Sequence, residues 1–124
     1  MNPTDVGNLV SALRDGGENA YHTLIESHDA IVPQLIEHYT NANDGELRAR
    51  IVEVIWQHRV PTTVSFLASA LNDEHPEVWK QAIDGLVTIG GDHSVGALKT
   101  LLGQIKYDDA RSPWIAEAID QIES

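Results

Sequence analysis

The chain has 124 residues, of which 42% are apolar, enough for a packed core and too many for wholesale disorder. Its 8 Lys and Arg stand against 19 Asp and Glu, a formal charge of −11, so nonspecific attraction to nucleic acid or an anionic membrane is disfavoured. It contains no Cys, which excludes disulfides, thiolate zinc sites and thiol catalysis.

Taken in chain order, the apolar pattern is helical almost throughout. The opening Met1-Asn2-Pro3-Thr4-Asp5 lacks the basic start and apolar run of an export signal, and a cytoplasmic protein is expected. Helices are predicted over 4–14 and 18–28, then over 30–42, where Ile31, Leu35, Ile36 and Tyr39 form one stripe. Asn43 stands three residues before Glu46 in a capping-box spacing and opens a helix over 45–58, with Leu47, Ile51, Val54, Ile55 and His58 on one side. A fifth helix covers 62–72. Pro76 opens a sixth over 76–89, striped by Val78, Ala82, Leu86 and Ile89. Gly90-Gly91 supplies left-handed backbone to stop it, and Asp92 is placed to cap a helix over 93–105. Pro113 opens the last, over 113–123.

The helices pair, and the pairs repeat. Val32, Val64 and Val95 begin three first helices, and Leu35, Leu67 and Leu98 follow at the same spacings. In the second helices Leu47 aligns with Val78 and Ile55 with Leu86; Trp114, Ala118 and Ile122 continue that register after a longer connection through Gly103–Ser112. One such unit cannot cover its own apolar stripe, whereas stacked units can. The expected architecture is all-α: one α–α superhelix over 1–124, a short solenoid with repeats near 4–28, 30–58, 62–89 and 93–123.

The stretch from Val64 through Asp73, then Pro76, Val78, Ala82, Leu86 and Ile89-Gly90, resembles a HEAT repeat of the short, PBS-lyase-like kind. The resemblance is strongest over 62–102 and fades toward both ends. It implies a solenoid whose second helices line the inner, concave face; such solenoids serve many unrelated roles, so the resemblance speaks to fold more than to function. Such repeats usually carry Arg directly after the Val of the second helix, partnered by a turn Asp. Asp73 matches that Asp, but Trp79 occupies the Arg position, so an incomplete Asp–Arg ladder is expected, with Lys80 as the substitute.

On the second helices the strip left for solvent is Glu46, Arg50, Glu53 and Gln57, then Glu77, Gln81, Asp84 and Thr88, then Glu117 and Asp120. Glu53, Asp84 and Asp120 are expected to stack in a row, making an electronegative face for a partner of opposite charge. Trp114 and Trp56 are assigned to packing. Trp79 is added to the candidate protein-binding residues because it replaces a normally polar position and aromatic anchors are enriched at interfaces. The apolar sides of both end helices either turn inward or offer an association surface, so a monomer or a weak homodimer is expected.

No catalytic residue, cofactor or metal site is expected. There is no His-Glu-x-x-His and no His pair at i, i+4. Gly91-Asp92-His93-Ser94-Val95-Gly96 has the glycine spacing of a phosphate loop, but Ala97-Leu98 stand where Lys and Ser or Thr are required. Consecutive Asp92, His93 and Ser94 cannot converge as a relay, because helical neighbours diverge by about 100°. The functional expectation is a non-catalytic module that binds another, basic protein through its inner face, and neither nucleic acid nor membrane. An immunity protein neutralising a cationic toxin such as a nuclease is the narrower alternative, and a lyase accessory subunit the remote one.

Overall fold

The computed structural model describes residues 2–124; Met1, the first residue of the expected domain, lies outside them. Among the described residues there are eight α-helices and no strand: α1 Pro3–Arg14, α2 Glu18–Glu26, α3 Val32–Asn41, α4 Gly45–Gln57, α5 Val64–Ala70, α6 Pro76–Ile89, α7 Gly91–Gln104 and α8 Ser112–Glu123. Single 3-10 turns, Asp29–Ile31 and Pro61–Thr63, lead into α3 and α5.

Each odd helix packs on the even helix that follows it, and the pairs then stack: α2 on α4, α4 on α6 and α6 on α8 form one layer, while α1 on α3 and α5 on α7 lie in the other. The chain is the all-α solenoid that the repeated stripes predict. Several helix starts follow from local chemistry. Pro sits in the first turn of α1, α3, α6 and α8, where its missing N–H leaves no bond unmade. Asn2 accepts a 2.9 Å hydrogen bond from Asp5 N–H, and Asp44 caps α4 by accepting one from Glu46 N–H at 3.0 Å. Two expected caps move. Asp44 takes the place expected of Asn43. Asp92 lies inside the first turn of α7, where its charge favours the helix N-terminus, because Gly90 (φ 68°) and Gly91 (φ 83°) turn the chain early.

Two apolar clusters fill the space between the layers. One joins α1–α4 around Val6, Leu24, Leu35, Ile51 and Ile55; the other joins α4–α8 around Val52, Leu67, Leu86, Leu98 and Ile115. Helix α4 holds them together, since Ile51 and Ile55 face back and Ala49 and Val52 face forward. Ile51, Val52 and Ile55 are wholly buried, each contributing about 1.5–3 kcal/mol by burial. Tyr39 of α3 and Phe66 of α5 pack against both clusters, with edge-to-face rings 5.1 Å apart. At the ends, Val10, Leu13, Ile115 and Ile119 turn inward.

Trp56 packs against the core as expected, but the other two tryptophans reverse the expectation. Trp79 is 5% exposed, so it is no surface anchor, while Trp114 on α8 is 46% exposed and not in the core. The cause is helical phase: in α8 it is Ile115, Ala118 and Ile119 that face α6 and α7, which puts Trp114 at the margin, with its ring 6.1 Å from that of Trp79.

Candidate functional site

The solvent-facing strip of the even layer is built by spacing. Glu46, Arg50 and Glu53 lie at i, i+4 and i+7 on α4, and Glu77, Gln81 and Asp84 repeat that spacing on α6. Because α4 and α6 lie side by side, the two rows adjoin. The turn between α1 and α2 closes over them and makes a cleft of about 370 Å³, to which Glu46, Arg50, Glu53, Glu77 and Gln81 all contribute. Leu13, Leu47 and Ala49 are its buried floor. Its rim carries Glu18, Asp44, Glu46, Glu53 and Glu77 against Arg14 and Arg50 alone.

Inside the cleft the polar groups are tied together. Arg50 reaches toward Glu18 (3.6 Å) and Glu53 (3.8 Å), and its guanidinium lies 4.6 Å over the Tyr21 ring. The Tyr21 hydroxyl donates to Glu53 Oε2 at 2.9 Å. Burial, with the Glu53 carboxylate beside it, pushes that hydroxyl up to about 12, so it stays a donor at neutral pH. Trp56 Nε1–H donates to Gln81 Oε1 at 2.8 Å, so the Gln81 amide is partly engaged in joining α4 to α6. Asp84 lies beyond the cleft lining. Desolvation and then the Glu53 charge raise its carboxyl, so the Glu53–Asp84 part of the expected acidic row is electrostatically coupled. Glu117 and Asp120 are exposed on α8 but do not line the cleft.

Sequence reasoning passed over the part played by α1 and α2. Tyr21 aligns with a core position of the later repeats and gave no sign of its hydroxyl's reach, while Glu18 and Arg14 belong to the weakest repeat.

The Asp–Arg ladder is incomplete, as expected, but its parts differ from the expected ones. One rung is complete: Arg48, directly after Leu47, donates from Nε and Nη2 to the two Asp73 oxygens at 2.9 and 3.1 Å. Asp73 further accepts from Tyr39 Oη at 2.7 Å and His75 N–H at 2.9 Å. Burial works to raise the Asp73 carboxyl, but the bonds from Arg48, His75 and Tyr39 and the Arg48 charge outweigh it and hold it below its usual value. The signal was present, since Leu47-Arg48 stands one repeat before Val78-Trp79. At the next rung Lys80 is not the substitute. Arg111 reaches back from the α7–α8 connection to the Leu71 carbonyl (3.0 Å) and Asn72 Oδ1 (3.3 Å) while pairing with Asp109 at 2.8 Å. Lys80 instead places its ammonium 4.8 Å over the Trp114 ring and 3.8 Å from Glu77.

Among the described residues no group of three or more His, Asp or Glu is arranged to hold a metal ion, and no helix is long and apolar enough to cross a membrane. What the cleft offers is a concave, mostly negative surface with hydrogen-bond acceptors at its rim. A comparison with curated proteins and one with solved structures each found no match. The HEAT-repeat family matches residues 32–119, from the start of α3 into α8. Repeats of this kind generally mediate protein–protein interaction and typically serve as non-catalytic scaffolds. Stacked helix pairs, an Arg48–Asp73 rung between neighbouring repeats and a match over well more than half of its length make this chain a member of the HEAT-repeat family.

Proposed function

We propose that this chain is a non-catalytic binding module that receives a basic protein in the cleft between the α1–α2 turn and the even helices. The observation that carries the reading is the sign of the cleft: five carboxylates against two guanidiniums around about 370 Å³ of open space. A concave wall of one sign focuses the field and speeds the encounter with a partner of the other sign. Glu46 and Glu77 are exposed at the rim, and the one ion contact of Glu77, to Lys80, is long at 3.8 Å, so both carboxylates are open to a lysine or arginine of a partner. Asp84, beside Glu53, extends the negative surface, and Glu117 and Asp120 on α8 continue it as a secondary margin. Neutralisation of a cationic toxin such as a nuclease is a narrower form of the same reading and would use the same cleft.

The test is capture of partners by the purified chain at low and high salt, with Glu46→Lys/Glu77→Lys as the altered protein and helicity by circular dichroism as the folding control. A basic protein retained at low salt, released at high salt and lost in the double reversal supports the reading. Capture of the same protein unchanged by the reversal refutes it. For the narrower form, the measurement is inhibition of a cationic nuclease by the wild-type chain and its absence in the double reversal.

A further inference from the structure

Where the cleft ends on α6, the surface changes character. Trp114 and Tyr107 are the large apolar side chains left open among the described residues, and of the two Trp114 is fixed on a helix. Its indole stands edge to face with Trp79, at 76° and 6.1 Å between centroids, and buried Trp79 holds it from behind. The Lys80 ammonium lies over both rings, 4.8 Å from Trp114 and 5.8 Å from Trp79, and 3.8 Å from Glu77. Glu77 also lines the acidic cleft, so this aromatic corner continues directly from it.

We infer that Trp114 and Glu77 form a receiving position for an arginine of the basic partner, with Lys80 as an internal placeholder that the arginine displaces. The inference rests on the acidic-cleft reading and specifies the chemistry of the partner. Three physical points support it. The two indole faces already attract a cation, since Lys80 occupies them. Lys80 is held loosely: its one carboxylate contact is long, and its side chain is one-third exposed, so leaving the ring costs little. A planar guanidinium suits the position better than an ammonium, because it stacks on the exposed indole while its N–H fork donates to the Glu77 carboxylate. The charge of the adjoining cleft favours a segment carrying several cations, one of which lands on Trp114.

The experiment compares fluorescence anisotropy of labelled oligoarginine and oligolysine peptides of equal length, binding to the full chain at low salt. Both peptides are expected to bind, oligoarginine more tightly. Trp114→Ala is expected to shrink the arginine-to-lysine affinity ratio by about two- to fivefold, the size of one exposed cation–π contact, and Trp114→Phe to keep part of it. Lys80→Ala is expected to widen the ratio; comparing ratios cancels the charge change that affects both peptides. A ratio unchanged in Trp114→Ala overturns the inference and leaves the acidic cleft standing. Failure of both peptides to bind overturns the cleft reading and this inference together. A concentration-dependent dimer that Trp114→Ala abolishes, with no arginine preference in the wild type, assigns Trp114 to a second copy of the chain and overturns the inference.

Discussion

Gly85 sits where α6 presses against α4. A β-carbon there would meet Trp56 Cβ at 2.7 Å, Trp56 Cγ at 3.0 Å and Leu67 Cδ1 at 3.0 Å. Trp56 Cβ is anchored to the α4 backbone, so a rotamer change cannot relieve the clash and the layer itself must open. Gly85→Ala therefore sets two effects against each other. Better helix propensity contributes about 1 kcal/mol of stability. Overpacking of a closed interface costs about 1–3 kcal/mol, toward the upper end because the shortest contact falls on a Cβ that cannot move without its backbone. The expected result is a net loss of about 1–2 kcal/mol. For a chain of this size that lowers the unfolding midpoint by about 4–8 °C. Gly96→Ala on α7 is the control, since nothing lies within 4 Å of its added carbon. The same propensity gain then acts unopposed, and the midpoint should rise by about 4 °C. Both are read from thermal and urea melts followed by circular dichroism. A Gly85→Ala protein as stable as the wild type would refute the close α4–α6 approach, and with it the placement of the two acidic rows side by side.

Two further outcomes follow from the same packing. Trp79→Ala should cost about 3–5 kcal/mol, because it removes a buried indole, whereas Trp114→Ala should cost about 1–1.5 kcal/mol; urea melts that rank them the other way would show the helical phase of α8 to be wrong. Asp73→Asn should lose about 3 kcal/mol at neutral pH, because it leaves Arg48, 15% exposed, without its carboxylate. The folded carboxyl of Asp73 lies below the unfolded value of 3.8, so its stabilisation is complete above that value and is lost as pH falls through the folded one. The difference between wild type and Asp73→Asn should therefore narrow below about pH 4, and a gap constant down to about pH 2 would disprove the buried ion pair.

The class of fold is legible in the residue pattern alone. A stripe recurring every three or four residues is legible because a helix turns by a fixed angle per residue, and the recurrence of Val32, Val64 and Val95 is legible because stacked units must present equivalent faces. The pattern also placed Glu46, Arg50, Glu53, Glu77 and Gln81 on one surface, since their spacing within α4 and α6 is local and the alignment of those helices follows from the repeat. The rest depends on contacts between helices far apart in the chain or on helical phase that the spacing leaves open. The longer α7–α8 connection leaves the register of α8 undefined, and a one-residue rotation of about 100° exchanges Trp114 for Ile115 at the core. The closure of the α1–α2 turn over α4, the reach of Tyr21 to Glu53 and the return of Arg111 to Leu71 and Asn72 are likewise set by how the helix pairs dock. Side-chain reach across a docked interface has no period along the chain, so only the packed molecule shows that the negative strip is a cleft with a tryptophan at its edge.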